Sequence, residues 1–246
     1  MSECVVLVRQ ARPEDQDARV TLVRLGLAEY NFPAFLYFFL QEVMLQFVLL
    51  CCAVLFIFFS TPLWICVLPG PALAIVTYIG CTCVHIELGH KHKRVGFSKV
   101  RDEWVGFVAE LRGPLVHEPH GVMPYVVSEL DADFAPVTPT RILGTVSLSA
   151  LWGPADGLWL HDLTVHPQWR GRGLGGALLQ ASWQWALRGS GLAEGAMVEA
   201  LVSRLQGSAA ALLHEQGWQT RGSYRRPAGA GTALPVLRLS RILEAT

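Results

Sequence analysis

The stretch that decides the fold is Leu160-His161-Asp162-Leu163-Thr164-Val165-His166-Pro167-Gln168-Trp169-Arg170-Gly171-Arg172-Gly173-Leu174-Gly175-Gly176-Ala177-Leu178-Leu179. It predicts a strand that ends near Val165 and a helix that begins near Leu174. The four glycines around the first helical turn allow positive φ angles and a close approach of the backbone to a ligand. The unpaired N–H groups and the dipole at a helix N-terminus favour an anion. The segment therefore predicts a pyrophosphate cradle, to which Arg170 and Arg172 add positive charge.

Two kinds of phosphate-binding domain fit this cradle. Gly171, Gly173 and Gly176 satisfy the G-x-G-x-x-G pattern of dinucleotide-binding domains, which would predict an NAD-dependent oxidoreductase. That fold places the glycine-rich turn directly after its first strand, whereas here a strand-rich half of the chain precedes the motif. A P-loop is excluded, because the sequence contains no G-x-x-x-x-G-K-[ST].

The better match is the GCN5-related N-acetyltransferase (GNAT) family, whose signature Arg/Gln-x-x-Gly-x-Gly/Ala is met by residues 170–175. The flanks agree, with Leu163-x-Val165-x-Pro167 before the signature and Leu178-Leu179 after it. Residues 206–218 resemble the family's later helix, Asn-x-x-Ala-x-x-x-Tyr-x-x-x-Gly-Phe, with Leu213 at the tyrosine position. The resemblance covers residues 4–24 loosely and 123–241 well. A membrane hairpin inserted between the first two helices also looks like the N-acetyltransferase 8-like branch.

This resemblance implies both a fold and a co-substrate. The fold is α/β, with a GNAT-type mixed, mostly antiparallel sheet flanked by helices and an inserted transmembrane helical hairpin. The co-substrate is acetyl-CoA, and an amine attacks its thioester directly without a covalent enzyme intermediate. The strand at 197–202 should splay away from the strand at 158–165 and leave a slot for it. The residues implied in acetyl-CoA binding are Leu163, Thr164, Val165, Arg170, Gly171, Arg172, Gly173, Leu174, Gly175 and Gly176.

Two residues are candidates for the general base, because the attacking amine must be neutral. His161 resembles an active-site histidine of arylalkylamine acetyltransferases, and histidine titrates near neutrality. Its alternative role is that of a strand histidine hydrogen-bonded to the backbone. Glu199 lies on an otherwise apolar strand and is either a second base or an outward-facing polar residue. Asp162 should point away from His161, because successive side chains of a strand alternate.

The departing thiolate is helped by an acid, which in this family is usually the tyrosine that Leu213 replaces here. Tyr224 or His214 should then act in its place, or the thiolate leaves unaided. The alternative is a catalytically weak or inactive membrane protein that binds CoA as a sensor or scaffold. His117 and His120 lie in a predicted loop that is either solvated or part of the acceptor pocket.

The composition predicts a segment within a bilayer. Hydrophobic residues make up 52% of the 246 residues, charged residues make up 16%, and the mean hydropathy is +0.35, whereas soluble domains carry about 25% charge. No Asp, Glu, Lys or Arg lies between Glu42 and Glu87. We predict two membrane spans, at 43–60 and 63–84, with a kink or interruption at Pro69-Gly70-Pro71. A buried soluble hairpin is the alternative, and a signal peptide is excluded by the length and position of the apolar run.

The flanking charges predict the orientation of these spans. Arg19 and Arg24 precede them, the connecting turn is uncharged, and a basic cluster follows that consists of Lys91, Lys93, Arg94, Lys99 and Arg101. Positive residues stay cytosolic, so both termini should face the cytosol. The resemblance suggests the endoplasmic reticulum. The predicted domains are an N-terminal strand and helix of the GNAT domain (1–32), the membrane hairpin (33–88) and the main acetyl-CoA-binding domain (89–246).

The expected partners are acetyl-CoA, an amine acceptor and the lipid bilayer. Equal numbers of basic and acidic residues, 20 of each, argue against a nucleic-acid partner. We expect no metal, although Cys81-x-Cys83-x-His85 with His90 and His92 resembles a ligand spacing. Core cysteines and interfacial histidines explain that pattern better.

Periodicity predicts the remaining elements. Strands are expected at 4–9, 125–130, 142–148, 158–165, 197–202, 218–224 and 234–239, and helices at 12–30, 104–111, 174–187 and 209–215. The helix at 104–111 rests on apolar residues spaced three, four and seven apart.

Overall fold

The computed structural model describes residues 5–95, 103–112, 125–128, 140–151, 157–193, 195–229 and 232–243. The strands are β1 (Val5–Gln10), β2 (Glu103–Arg112), β3 (Tyr125–Ser128), β4 (Thr140–Ala150), β5 (Gly157–Val165), β6 (Met197–Ser203), β7 (Gln219–Gly229) and β8 (Thr232–Ile242). The helices are α1 (Gln16–Ala28), α2 (Asn31–Phe39), α3 (Glu42–Phe59), α4 (Leu63–Cys66), α5 (Pro69–Val95), α6 (Leu174–Arg188) and α7 (Gly207–Glu215), with 3-10 turns at Pro13–Asp15 and Pro167–Trp169.

The strands form one sheet in the order β3-β1-β2-β4-β5-β6-β8-β7. Neighbouring strands pair antiparallel except β1 with β3 and β5 with β6, which are parallel. The predicted mixed, mostly antiparallel sheet flanked by helices is therefore confirmed.

Helices α6 and α1 cover opposite faces of the centre of the sheet. Leu174 and Leu178 of α6 are buried in a core that includes Val146 of β4. Arg19 of α1 reaches the other face of β4, and α1 approaches β5 closely at Gly26, where an added Cβ would lie 2.8 Å from Thr164 Cγ2. The tail of β5 is thus held between the two helices.

Strand β2 occupies the segment for which the sequence predicts a helix, so that prediction is wrong. β2 pairs with β1 on one side and β4 on the other, and every residue from Val105 to Leu111 is buried. A strand covered on both faces carries a continuous run of apolar or small residues without alternation. The helical spacing of Trp104, Phe107 and Val108 arises by coincidence within such a run.

The apolar hairpin consists of α3, α4 and α5. α3 ends at Ser60, which has a positive φ of 46°, and the predicted interruption before Pro69 is confirmed by the separate helices α4 and α5. Two helical stretches, Glu42–Phe59 and Trp64–Val84, are long and apolar enough to cross a membrane, and only 0% and 6% of their residues are buried. α5 continues beyond them to Val95, past the boundary predicted at residue 88, and packs against α1 and α2.

Arg19 does not flank the membrane segments as the orientation argument assumed. It is 5% exposed, and it donates hydrogen bonds to Thr145 Oγ1 at 2.9 Å and to Ser147 Oγ at 2.8 Å. Its charge lies in the interior of the folded domain. Of Arg19 and Arg24, only Arg24 then remains as a flanking charge in the orientation argument.

A buried ionic cluster joins β1, β2 and the turn before α1. Arg9 donates to Asp15 at 2.6 and 2.9 Å and forms a second ion pair with Glu110. Burial alone would raise the pKa of Asp15, but the hydrogen bonds from Arg9 and from the Arg12 amide outweigh it and lower the pKa. For Arg9, burial is likewise outweighed, and the two carboxylates raise its pKa.

Candidate active site

A cleft of about 1030 Å³ opens where β5 and β6 separate. The two strands pair from Gly157 with Met197 to Leu160 with Ala200, and the pairing ends there. The cleft is lined by the tail of β5, the end of β6, the start of α6, α7 and one side of α1. The slot predicted between these strands is confirmed.

The start of α6 forms one end of this cleft. Gly171 and Gly173 have φ angles of +70° and +79°, which glycine adopts without strain, and Gly173 is the N-cap. No side chain caps the helix, and its first intrahelical bond runs from Ala177 N to Gly173 O. Within the part of the chain that the structure describes, no acceptor is found for the amides of residues 174–176. These amides make an anion site facing the cleft.

The arginines near the cradle are engaged by neighbouring groups. Arg170 forms an ion pair with Glu29, just beyond the end of α1, and its Nε donates to the carbonyl of Val165 at 3.0 Å. The guanidinium of Arg172 lies 5.1 Å from the centre of the Trp169 ring. The cradle itself is therefore built from backbone, while Arg170 ties α1 to the end of β5.

His161 lies in the cleft beside Asp162, and the expectation that these side chains point apart is wrong. His161 Nδ1 is 2.8 Å from Asp162 Oδ2, and the two side chains are 3% and 9% exposed. The register between β4 and β5 shifts at this point, and Asp162 has a φ of +54°. This β-bulge breaks the alternation on which the expectation depended. His161 Nε2 is buried, with no hydrogen-bond partner among the described residues.

The structure does not bring Glu199 to the cleft. Both of its carboxylate oxygens are held by Arg238 of β8, through Nε at 2.9 Å and through Nη2. The hydrogen bonds and charge of Glu199 raise the pKa of Arg238. Glu199 is thus a buried ion-pair partner, and of the two base candidates only His161 lines the cleft.

Tyr224 and Leu213 both line the cleft. Tyr224 is 44% exposed on β7, whereas Leu213 is 1% exposed on α7. His214 is turned to the carbonyl of Trp218, 3.0 Å from its Nδ1, and does not line the cleft. Tyr224 is the candidate acid that the structure brings to the site.

The other histidines that were candidates for the acceptor pocket or a metal site are not described by the structure. His117 and His120 lie outside the described residues, as do the side chains of His85, His90 and His92. Among the residues that are described, no group of three or more His, Cys, Asp or Glu could hold a metal ion.

Residues 125–220 match the sequence model of the family described as Acetyltransferase (GNAT) domain. Over these residues the sequence matches a GNAT acetyltransferase domain. The matched segment contains β5, the cradle, α6, β6 and α7, which together make most of the cleft. The predicted acyltransferase activity and its donor, acetyl-CoA, are thereby confirmed.

A dinucleotide-dependent oxidoreductase is the wrong alternative, because that fold needs a mostly parallel sheet with the glycine-rich turn after its first strand.

Several solved acetyltransferases are similar to this chain at low identity. A GNAT-family acetyltransferase from Streptococcus pneumoniae is 17% identical over 97% of this chain and 99% of its own, with a TM-score of 0.46. An N-acetyltransferase from Staphylococcus aureus Mu50 is 12% identical over 97% and 99%, with a TM-score of 0.47. The yncA protein of Salmonella typhimurium, solved with its cofactor acetyl-CoA, is 12% identical over 98% and 95%, with a TM-score of 0.45. A comparison with curated protein sequences finds no match.

Proposed function

We propose that this protein is a membrane-anchored N-acetyltransferase that moves the acetyl group of acetyl-CoA to an amine of a small molecule or a protein. The observation that carries the proposal is the cradle: uncapped amides at the start of α6 face a cleft between separating strands. An anion-binding helix start at one end of a long slot suits a coenzyme with a diphosphate and an extended arm.

The cradle from Arg170 to Gly176 would hold the pyrophosphate through its backbone amides. Leu163, Thr164 and Val165 line the cleft beyond the point where β5 loses its partner. Their backbone would run beside the pantetheine arm in the manner of an added strand. The co-substrate supplies an acetyl thioester, which is already activated for attack.

His161 and Tyr224 would carry the proton transfers. As the amine nitrogen bonds to the thioester carbon, Nε2 of His161 accepts the proton that the nitrogen loses. The carbon–sulfur bond then breaks, and the hydroxyl of Tyr224 donates its proton to the departing sulfur. The products are an acetamide and the free thiol of CoA. His161 then releases its proton to solvent, and the Tyr224 phenolate takes up a proton from solvent.

Membrane anchoring is supported by the exposure of the apolar hairpin. Phe58 and Trp64 are 77% and 71% exposed, and neither candidate span is buried as a core helix would be. Exposed apolar surfaces of this extent occur at membrane or protein contacts. We place both termini on the cytosolic side, with the basic residues that follow the second span. The N-acetyltransferase 8-like branch and residence in the endoplasmic reticulum belong to the same proposal.

An acceptor that lies close to lipid is supported by a contact between the segment that leads into the hairpin and the cleft wall. Tyr37 of α2 donates to the carbonyl of Ala233 on β8 at 3.2 Å, and Gln41 donates to the same atom at 3.3 Å. The next residue, Leu234, lines the cleft.

We expect dodecylamine in detergent micelles to be acetylated faster than butylamine in the same solution. A preference for butylamine would contradict a lipid-proximal acceptor.

Calorimetry of the full-length protein with acetyl-CoA tests the proposed function. Gly173→Asp should abolish binding, because its carboxylate repels the diphosphate and its side chain blocks the amides. Gly191→Asp is the matched control, since Gly191 has a similar φ of +68° but does not line the cleft. Equal binding by both variants and the unchanged protein would contradict the cradle.

The second candidate function is a CoA-binding sensor or scaffold, which the apolar Leu213 at the position of the family's tyrosine favours. Release of free thiol from acetyl-CoA in the presence of dodecylamine separates the two functions. Binding of acetyl-CoA without thiol release would support the scaffold.

A further inference from the structure

Asp162 adopts a rare backbone conformation directly beside the proposed base. Among the described residues, only Asp162 and Ser60 have a positive φ without being glycine. Aspartate tolerates this region better than most residues do, and such conformations cluster at functional sites. The bulge that imposes it lies on β5, between the pair Thr145–Thr164 and the pair Ser147–His161.

The bulge turns the carboxylate onto the imidazole. In a regular strand two consecutive side chains point to opposite faces, yet here Asp162 Oδ2 is 2.8 Å from His161 Nδ1. An ionised carboxylate only accepts hydrogen bonds, so the proton of a neutral imidazole must lie on Nδ1. Nε2 then carries a lone pair, and it is the buried atom without a partner among the described residues.

We propose that Asp162 is a positioning residue, which holds His161 in the tautomer protonated at Nδ1 so that Nε2 can accept the proton of the acceptor amine. This inference rests on the proposed transferase function. When His161 accepts that proton, the Asp162 carboxylate balances the charge of the imidazolium without becoming protonated itself. The arrangement is analogous to the role of aspartate beside histidine in serine hydrolases.

The charged groups near His161 and Asp162 have hydrogen-bond partners of their own. Charged or titratable groups on the neighbouring elements include Arg19 on α1, Glu199 on β6 and Tyr224 on β7. Arg19 donates to Ser147, the cross-strand partner of His161, so a buried cation lies on the same face of the sheet. Glu199 is already held by Arg238. The ring of Trp159 lies 5.6 Å from the imidazole and restricts its movement.

The test is Asp162→Asn in the full-length protein in detergent micelles. Asparagine has the same size and also tolerates a positive φ, but its amide group can donate to Nδ1 and so move the histidine proton to Nε2. Nitrogen-15 NMR of histidine-labelled protein, assigned with His161→Gln, should show a protonated Nδ1 in the unchanged protein and a protonated Nε2 in the variant. With dodecylamine as the acceptor, kcat should fall at least roughly 100-fold, and the acidic limb of the pH–rate profile, where a protonated base cannot act, should change. The KM for acetyl-CoA should not change.

Asp17→Asn, an exposed acid on α1, is the matched control and should change neither the spectrum nor kcat. A His161 that is protonated at Nε2 in the unchanged protein would overturn the proposal. So would an Asp162→Asn variant that keeps the original tautomer, kcat and pH profile, or one that loses acetyl-CoA binding together with activity. If the unchanged protein binds acetyl-CoA but releases no thiol, the transferase function fails. The nitrogen spectra still decide in that case whether Asp162 sets the tautomer.

Discussion

Leu213 lines the cleft from α7, and it is a buried side chain with no proton to donate. Tyrosines enter the same cleft from two other elements, Tyr224 on β7 and Tyr30 just after α1. A general acid for the departing thiolate is therefore available in this site without a tyrosine on α7. The chemistry then depends on which of the two phenols is in reach of the sulfur, and we assign that role to Tyr224.

We expect Tyr224→Phe to lower kcat about 100-fold, since a positioned general acid contributes roughly 10²- to 10⁴-fold. Stability should not change, because Tyr224 is largely exposed and only its hydroxyl is removed. The measurement is thiol release from acetyl-CoA with dodecylamine as the acceptor. Tyr30→Phe is the matched control and should leave kcat unchanged. A loss in Tyr30→Phe with none in Tyr224→Phe would assign the acid to the opposite wall of the cleft.

Single residues differ in how much of their structure can be predicted from the sequence. Gly171 and Gly173 were predictable, because glycines at fixed spacing after a strand mark positive φ angles at a helix start, and both angles are positive. Asp162 was not, because the β-bulge depends on the pairing of β5 with β4, and no local pattern in β5 announces it. Glu199 was ambiguous for the same reason, since its partner Arg238 lies on a strand distant in sequence.

At the scale of elements, strands with one exposed face or clear turn residues around them were predicted well, and β2 was not. β2 lies between β1 and β4 and beneath α6, so burial on both faces removes the alternation that identifies a strand. Pro69 did predict the interruption between α4 and α5, because proline lacks the N–H that a helix interior requires. The local spacing of apolar residues does not reveal that a strand is buried on both faces by elements distant in sequence.

The ionic cluster around Arg9 connects β1, β2 and the turn before α1. Asp15 is buried and its pKa is lowered, so its ionised form is favoured in the folded state. We expect Asp15→Asn to lower the free energy of unfolding at pH 7 by about 3 kcal/mol, because it leaves Arg9 buried with one counter-charge fewer. Denaturant unfolding of the micelle-bound protein measures this difference.

The same substitution predicts a pH dependence. A carboxylate with a lowered pKa in the folded state stabilises the protein above its unfolded pKa, near 3.9, and that stabilisation disappears as the pH falls through the folded pKa. The difference between the unchanged protein and Asp15→Asn should therefore be constant above about pH 5 and shrink below about pH 4. Glu14→Gln, its exposed neighbour, is the control and should show neither effect. A difference that grows on acidification would contradict the assignment.

At the scale of the whole molecule, the apolar hairpin and the acetyltransferase domain are joined by more than the chain. α5 runs unbroken from the apolar stretch to Val95 and packs against α1, which forms one side of the cleft. α2 reaches β8 on the opposite wall of the cleft through Tyr37. If the hairpin lies in a bilayer, the cleft is held at a fixed distance from the membrane surface, which suits an acceptor with an apolar tail.

This arrangement requires that the turn between α3 and α4 lies on the luminal side of the membrane while both termini lie on the cytosolic side. We expect a glycosylation cassette, with an Asn-x-Thr site in a flexible spacer, to be modified when it is inserted between Ser60 and Thr61. The same cassette fused at residue 1 or at residue 246 should remain unmodified, because both ends would face the cytosol. Translation in the presence of endoplasmic-reticulum microsomes, with the mass shift read before and after glycosidase treatment, makes the comparison. Modification at either terminus, or none at the turn with the protein extracted from the vesicles at alkaline pH, would contradict a hairpin that spans the bilayer.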